Sequence, residues 1–345
     1  MAEQVAEYLK EELGRGRWSG VMPGRDRLAM EFGVSAASVQ GGLEILRREG
    51  LLVAQGVGRR HRIMAPQRAL RTSLRITILL YDASNWKQGY IMDLQHQLNE
   101  AGFSSGVAPK SLMELGMKVE RVAGMVGQVE TDAWVVVAGS RPVLEWFAAR
   151  SVPTLALFGR LRHVLLAAAG PEKAPACREA VRRLTGLGHR RIVMLAHEGR
   201  RKPDPGFVER AYLDELEACG IMTGPYNLPD WDDHPEGLGR CLAALFQHTP
   251  PTALIVQTSY IYHAVERRLA RMGLVAPEHL SLICTDGDES FDWCRPSIAH
   301  ISYDSRPWIR RIVRWAHNVA QGKDDRRRSL TKARFVEGGT IGPAP

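Results

Sequence analysis

From residue 76 onward the chain alternates short, continuously apolar runs with longer amphipathic ones, and this alternation limits the fold more than any other feature of its 345 residues. The apolar runs are 76–81, 133–138, 154–158, 192–196, 253–257, 280–285 and 298–302. Between them, 91–101, 143–150, 176–187, 208–219 and 264–272 repeat apolar residues at helical spacing. A strand apolar on both sides must be covered on both faces, and strands separated by helices run parallel. The pattern predicts parallel sheets covered by helices. So many strands exceed one small sheet, which predicts two lobes.

Residues 22–63 follow a different logic. Leu28, Ala29 and Phe32 recur at helical spacing and stop at Gly33, where glycine enters a left-handed turn at no steric cost. Ser35 restarts the chain as a helix N-cap. Val39, Leu43 and Leu46 form one apolar stripe on the second helix, which leaves Ala36, Ala37, Ser38 and Gln40 outward near its N-terminus, where small and amide side chains can approach base edges. After Gly50 the pattern becomes extended at Leu51, Leu52 and Val53. Gly56 and Gly58 then permit a hairpin turn, and Arg59, Arg60 and Arg62 place cations where a sugar-phosphate backbone could be met. The whole reads as a winged helix-turn-helix, with Val5, Leu9 and Leu13 of a leading helix packed on it. Gly41 and Gly42 sit mid-helix at a cost of roughly 0.5–1 kcal/mol each relative to alanine, so the second helix is expected to be loose until DNA or a partner orders it. Residues 66–73, with Pro66, Arg68 and Arg71 and no apolar period, form a linker between units 1–65 and 74–345.

Through Pro23, Leu28, Ala29, Gly33, Val34, Ser35, Val39, Leu43, Glu49, Gly50, Leu51, Gly56 and Gly58, the N-terminal stretch resembles the DNA-binding domain of GntR-type transcription regulators. Where that family has an arginine on the first of the two helices, this chain has Asp26, and the resemblance passes the DNA contact to Arg25 and Arg27. The remainder resembles a second family. Residues 187–192 (LGHRRI), 251–254 (PTAL), 277–282 (PEHLSL) followed by Asp286, and 335–340 (FVEGGT) are similar to the effector domain of LacI-type regulators, which share the fold of periplasmic sugar-binding proteins. The implied fold class is α/β: an N-terminal winged helix-turn-helix followed by a two-lobed, type I periplasmic-binding-protein-like domain with parallel sheets covered by helices. Lobe 1 is expected at about 74–168 and 299–322, lobe 2 at about 169–298 and 323–345. A ligand would lie between them at the carboxyl ends of the strands. The resemblance implies effector contacts from Asp82, Asn85 and Trp86 after the first strand and from Asp286 at a later strand end. Arg210 is a shifted counterpart of the family's Arg-x-x-Gly-Phe motif, and Thr258 and Ser259 stand where the family has Asn-Asp. The sugar-binding set is therefore incomplete.

The net charge of +8 and pI near 9.4 suit a polyanionic partner. Five cysteines far apart, with no Cys-x-x-Cys pair, fit reduced thiols rather than a disulfide framework or a zinc site. There is no signal-peptide core and no apolar run long enough to span a bilayer, so a soluble cytoplasmic protein without membrane contact is expected. No nucleophile elbow, metal-spaced histidines or dinucleotide loop occurs, so neither enzyme activity nor a cofactor or metal is expected. Arg200, Arg201 and Lys202 read as a solvated loop, and 226–231 (YNLPDW) with Trp293 as loop packing or a lid. Together these features predict a homodimeric transcription regulator, a repressor on a palindromic operator of double-stranded DNA, controlled by a small-molecule effector of carbohydrate type. The rival readings are a constitutive DNA-binding protein whose second domain only dimerises, and a sugar-binding module or enzyme with an incidental N-terminal domain.

Overall fold

The N-terminal unit is built from α1 (Ala2–Gly14), α2 (Arg25–Phe32), α3 (Ala36–Arg48) and a hairpin of β1 (Leu52–Val53) and β2 (Arg62–Ile63). The computed structural model describes residues 2–14, 17–18, 20–55, 60–64 and 74–345, so Gly56, Gly58 and Arg59 of the hairpin tip and the 66–73 linker lie outside the described residues. Gly33 ends α2 at φ 62°, and the Ser35 hydroxyl accepts from the Ser38 nitrogen at 3.1 Å to start α3. Met22 N donates to His61 O and Ile63 N to Gly20 O, both at 2.9 Å, which adds residues 20–22 to the hairpin. Val5, Leu9, Leu13, Leu28, Val39, Leu43, Leu46 and Leu52 form one buried cluster.

The glycines of α3 have a packing reason. A Cβ on Gly42 would lie 3.0 Å from Val5 Cγ1 and 3.1 Å from the Ala6 nitrogen, and one on Gly41 would lie 2.8 Å from Ala2 Cβ. They let α1 approach α3 closely, so the expectation of a loose recognition helix is corrected: α3 runs unbroken against a partner already in place.

The second unit continues with β3 (Arg75–Leu79), α4 (Gly89–Glu100), β4 (Ser104–Val107), α5 (Val119–Val126), β5 (Ala133–Val137), α6 (Arg141–Ala148), β6 (Thr154–Leu157) and β7 (Ala167–Glu172). There follow α7 (Ala174–Gly186), β8 (Ile192–Leu195), α8 (Glu198–Arg201), α9 (Phe207–Ala218), α10 (Pro235–His248), β9 (Ala253–Val256), α11 (Ser259–Arg271), β10 (Ser281–Cys284) and β11 (Ala299–Ser302). The chain closes with α12 (Arg306–Ala320), β12 (Arg328–Lys332) and β13 (Arg334–Val336). One sheet has the order β12-β7-β6-β5-β3-β4 and is parallel throughout; the other has the order β13-β11-β10-β9-β8, with only β13 antiparallel. Each is apolar on both faces. In the first sheet, Ile76, Ile78, Val135 and Leu155 pack toward α4 and α12, while Trp134, Val136 and Ala156 pack toward α5 and α6. In the second, α7 and α9 cover one face and α10 and α11 the other.

The sheets correct the expected lobe limits in three places. Residues 169–172 complete β7 in the first lobe, residues 299–302 are β11 of the second, and residues 328–332 return to the first as β12. The chain therefore crosses between lobes near Lys173, Asp304 and Ala333. Strands β4, β7 and β12 escape the apolar pattern because β4 and β12 are sheet edges with the polar sequences SSGV and RSLTK, and β7 reads AAAGPE, with no large apolar residue. The LGHRRI motif has a structural task. His189 is fully buried and reaches Thr252 Oγ1 at 3.0 Å, Gly342 O at 2.9 Å and Ser281 Oγ at 2.9 Å, which ties together the approaches to β8 and β9, strand β10 and the C-terminal tail.

Candidate functional site

Two regions carry exposed polar chemistry. In the N-terminal unit, Arg25, Arg27, Ala37, Gln40, Arg60 and Arg62 are exposed, with Ala36 and Ser38 half-buried beside them. None of these side chains is spent on the unit's core. Arg25 Nε donates to Asp26 Oδ1 at 2.9 Å, so Asp26 orients its neighbour rather than facing an anion alone. Ser35 and Ser38 share a hydroxyl contact at 2.9 Å in the cap, which partly commits both.

The second region lies at the carboxyl ends of the strands, where the lobes face each other. Asp82 caps a 3-10 turn (Ala83–Lys87) directly after β3: its Oδ1 accepts from Ser84 N at 2.8 Å and Ser84 Oγ at 2.6 Å, and its own N–H donates to Asn85 Oδ1 at 3.0 Å. Two of the expected sugar contacts thus hold their own turn, with Trp86 half exposed beside them. Asp286, after β10, is ion-paired with Lys173 at the first crossing, and the Lys173 ammonium lies 4.8 Å from the ring centre of Tyr303 at the second. Arg210 is placed elsewhere, on α9, where it lines a hollow of about 180 Å³ with Glu172, Pro175, Arg178, Phe207 and Asp214; none of the other four expected contacts lines it.

The residues that meet across the cleft are largely ones the sequence pattern did not single out. Arg160, after β6 of the first lobe, donates to four carbonyls of the second: Gly199 O at 3.0 Å, Arg200 O at 2.9 Å, and Lys202 O and Asp204 O at 2.7 Å. The Tyr81 hydroxyl reaches the same loop, lying 3.6 Å from where a Cβ on Gly199 would be. In the second lobe the Tyr260 hydroxyl meets His197 Nε2 at 3.0 Å, and His197 Nδ1 meets Asp233 Oδ2 at 3.2 Å. Burial alone would raise the Asp233 pKa, but the hydrogen bonds from His197 and the Glu198 N–H outweigh it and hold the carboxyl below its ordinary value. Arg201 corrects the reading of 200–202 as a solvated loop. Its guanidinium is buried and donates to Ala196 O at 2.9 Å, Asp230 Oδ1 at 3.0 Å, Asp233 Oδ1 at 3.2 Å and the Trp231 carbonyl. Trp231 packs in the core and donates to Ala196 O at 3.1 Å, so this end of 226–231 is packing rather than lid. Trp293 stays exposed.

Burial, with Asp286 adding to it, pushes the Tyr90 and Tyr303 hydroxyls well above the ordinary phenol value. Burial, with Asp233 and Tyr260, pushes Tyr81 up to about 12, and Arg200 opposes the shift at all three. Strain collects here as well: Ala138 and Phe158, directly after β5 and β6, sit at φ 52° and 64°, a region that costs a non-glycine residue about 1–3 kcal/mol and is found where a surrounding site enforces it.

The Arg160 contacts make a measurable clasp. Hydrogen bonds to a charged donor stabilise by about 1.5–3 kcal/mol each. Arg160→Ala is expected to speed amide exchange of Arg200, Lys202 and Gly206 at least tenfold, as read by hydrogen-exchange mass spectrometry, while the sheet amides keep their rates. Unchanged exchange in this loop would show that other contacts hold it.

Comparison with known proteins agrees with the geometry. Residues 181–341 match the periplasmic binding protein-like domain family. A 125-residue segment is 28% identical to the HTH-type transcriptional repressor CytR of Escherichia coli (strain K12), covering 36% of this chain and 36% of that protein, so the match spans about a third of the curated relative's length. A LacI family transcriptional regulator from Enterococcus faecium, solved with bound ribose, superposes with a TM-score of 0.62 at 15% identity over 79% of this chain and all of that one. The dimeric Lac repressor with an 11-residue C-terminal deletion gives 0.63 at 18% identity over 79% of this chain and all of that one. The complex of the transcriptional regulator CelR with cellobiose gives 0.65 at 16% identity over 92% of this chain and all of that one. At these identities the likeness establishes the fold: two α/β lobes of the periplasmic-binding-protein type, as in LacI-type regulators.

Proposed function

We propose that the chain is a transcription repressor whose N-terminal winged helix-turn-helix, of the GntR type, reads an operator and whose two-lobed domain responds to a small-molecule effector. The observation that carries this reading is the exposure of Arg25, Arg27, Ala37, Gln40, Arg60 and Arg62 on a small helical unit whose own core uses none of them. Ser35 to Gln40 would enter the major groove, and the wing arginines would meet phosphates or the minor groove. Two copies would read a palindromic operator, a reading supported by the dimeric Lac repressor among the structural neighbours. Effector closing the lobes would alter the spacing of the two DNA-binding heads. The ribose and cellobiose complexes of neighbouring structures support a small hydroxylated effector for the cleft. Such a regulator acts in the cytoplasm, and no helix among the described residues is long and apolar enough to cross a membrane.

The test is selection of binding sites from a random DNA pool by the full chain and by an Arg60→Ala/Arg62→Ala variant. The intact chain is expected to enrich an inverted repeat. In the variant, the slope of log affinity against log salt should fall by about 2, since each lost phosphate contact removes ~0.9. No enriched sequence at any salt would remove the regulator reading. The Lys173–Asp286 pair, which occupies the carboxylate matching the family's ligand contact, favours a second reading in which the two-lobed domain only dimerises. Calorimetric titration with sugars, sugar acids and sugar phosphates separates the two, because only a sensor takes up heat-producing ligand.

A further inference from the structure

Charge bookkeeping in the cleft points past a neutral sugar. A neutral polyol is held chiefly by free carboxylates and amides that accept from its hydroxyls. Here each cleft carboxylate already has protein donors: Asp82 has Ser84 N and Oγ, Asp233 has His197, the Glu198 N–H and Arg201, and Asp286 has Lys173. The cations Arg160, Lys173 and Arg201 are likewise committed, to loop carbonyls, to Asp286, and to Asp230 with Asp233. Not every charged group here is paired: among the described residues the Glu209 Oε2 is buried without a partner and its charge acts on Arg160, as does the charge of the half-buried Arg141, and Arg200 is the unpaired cation that faces the cleft tyrosines. The half-buried Arg200 guanidinium has no hydrogen bond or ion pair among the described residues, although its backbone carbonyl is gripped by Arg160 from the opposite lobe at 2.9 Å. Its charge reaches the hydroxyls of Tyr81, Tyr90 and Tyr303, whose raised pKa values keep them protonated and therefore able to donate. Nearby, Ser140 follows β5 on the same side of the sheet, and its hydroxyl oxygen is buried without a partner.

We propose that the cleft takes an anionic small molecule, a carboxylate or a phosphate ester, with the Arg200 fork as its counter-charge and the cleft hydroxyls as further donors. The planar guanidinium matches both anions bidentately, which a neutral hydroxyl cannot exploit. This inference rests on the effector-binding reading of the cleft.

The experiment is calorimetric titration of the full chain with glucose, gluconate, glucose 6-phosphate and inorganic phosphate at one ionic strength, repeated with Arg200→Gln and Arg200→Lys. At least one anionic probe is expected to bind at least tenfold tighter than glucose; Arg200→Gln should abolish that preference and Arg200→Lys restore part of it. Gluconate against glucose 6-phosphate tells carboxylate from phosphate, and inorganic phosphate shows whether the anion alone suffices. Glucose binding as well as its anionic relatives, a preference untouched by Arg200→Gln, or no binding by any probe would each overturn the proposal. Operator selection by the same preparation is read separately, so failure of the regulator reading appears there and not here.

Discussion

Replacing Gly42 with leucine is expected to unfold the N-terminal unit and lower operator affinity at least a hundredfold while the two-lobed domain keeps its fold. A single added Cβ would already stand 3.0 Å from Val5 Cγ1, 3.1 Å from the Ala6 nitrogen and 3.3 Å from Val5 Cβ. Backbone cannot yield as a side chain does, so the rest of a leucine forces α1 off α3. That exposes Val5, Leu9 and Leu13, each 6% exposed or less, at roughly 1.5–3 kcal/mol apiece. The total is comparable to the whole stability of a small domain, about 5 kcal/mol at the low end. Gly42→Ala weighs a helix-propensity gain of about 1 kcal/mol against the same contact and serves as the graded control. Far-ultraviolet circular dichroism on heating, together with operator binding, is the measurement. Full-affinity binding by Gly42→Leu would show that α1 does not support α3.

The same glycines show where sequence reasoning stops. A propensity scale charges Gly41 and Gly42 to α3 alone and predicts looseness; the compensation comes from α1, some forty residues earlier, which no local window contains. By contrast, the turn itself was legible, because Gly33 and Ser35 act on their immediate neighbours through a left-handed φ and a cap. The central strands were legible for a related reason. Strands β5, β9 and β10, and β8 although it ends its sheet, are covered on both faces and must be apolar throughout, whereas the edges β4 and β12 carry no such obligation and interior β7 meets it with small alanines. Helix α12 could have been found, since Trp308, Ile309, Ile312, Trp315 and Ala316 repeat at helical spacing on a buried face.

The cleft was legible only in part. Open parallel sheets generally take ligands at their strand ends, and Asp82 and Asp286 both follow strand ends. What each does depends on partners far along the chain: Lys173 neutralises Asp286 across 113 residues, and Arg160 clasps a loop some forty residues on. Arg201 and Lys202 look alike in sequence, yet one is buried among carbonyls and carboxylates and the other pairs with Asp230 at the surface. Arg210 was carried over from a shifted motif, and on α9 it lines a separate hollow with Glu172, Arg178 and Asp214.

Asp325→Ala is expected to cost about 3–5 kcal/mol, the range for stranding a buried charge by removing its partner. The Asp325 carboxylate, 3% exposed, accepts from Arg311 Nη1 at 3.1 Å, Arg311 Nη2 at 2.8 Å, Asn318 Nδ2 at 2.6 Å and the Arg327 N–H at 3.2 Å. These bonds fasten α12 to the segment entering β12, the strand that runs on to the last crossing between lobes. Without the carboxylate, Arg311 keeps only the Arg327 carbonyl at 2.9 Å. Burial by itself would raise the Asp325 pKa, but the hydrogen bonds from Arg327 and Asn318 and the Arg311 charge outweigh it and hold the carboxyl well below its ordinary value. A folded-state pKa below the unfolded one, about 3.9, gives stabilisation that is complete above that value and drains away as pH falls through the folded pKa. Urea unfolding at neutral pH should therefore show the full loss in Asp325→Ala. Between pH 5 and 3 the parent should lose stability more steeply than the variant, and the difference between them should narrow. Parallel acid limbs would mean that other carboxylates set the acid lability, and a neutral-pH loss under about 1 kcal/mol would mean that Arg311 finds water or another acceptor once Asp325 is gone.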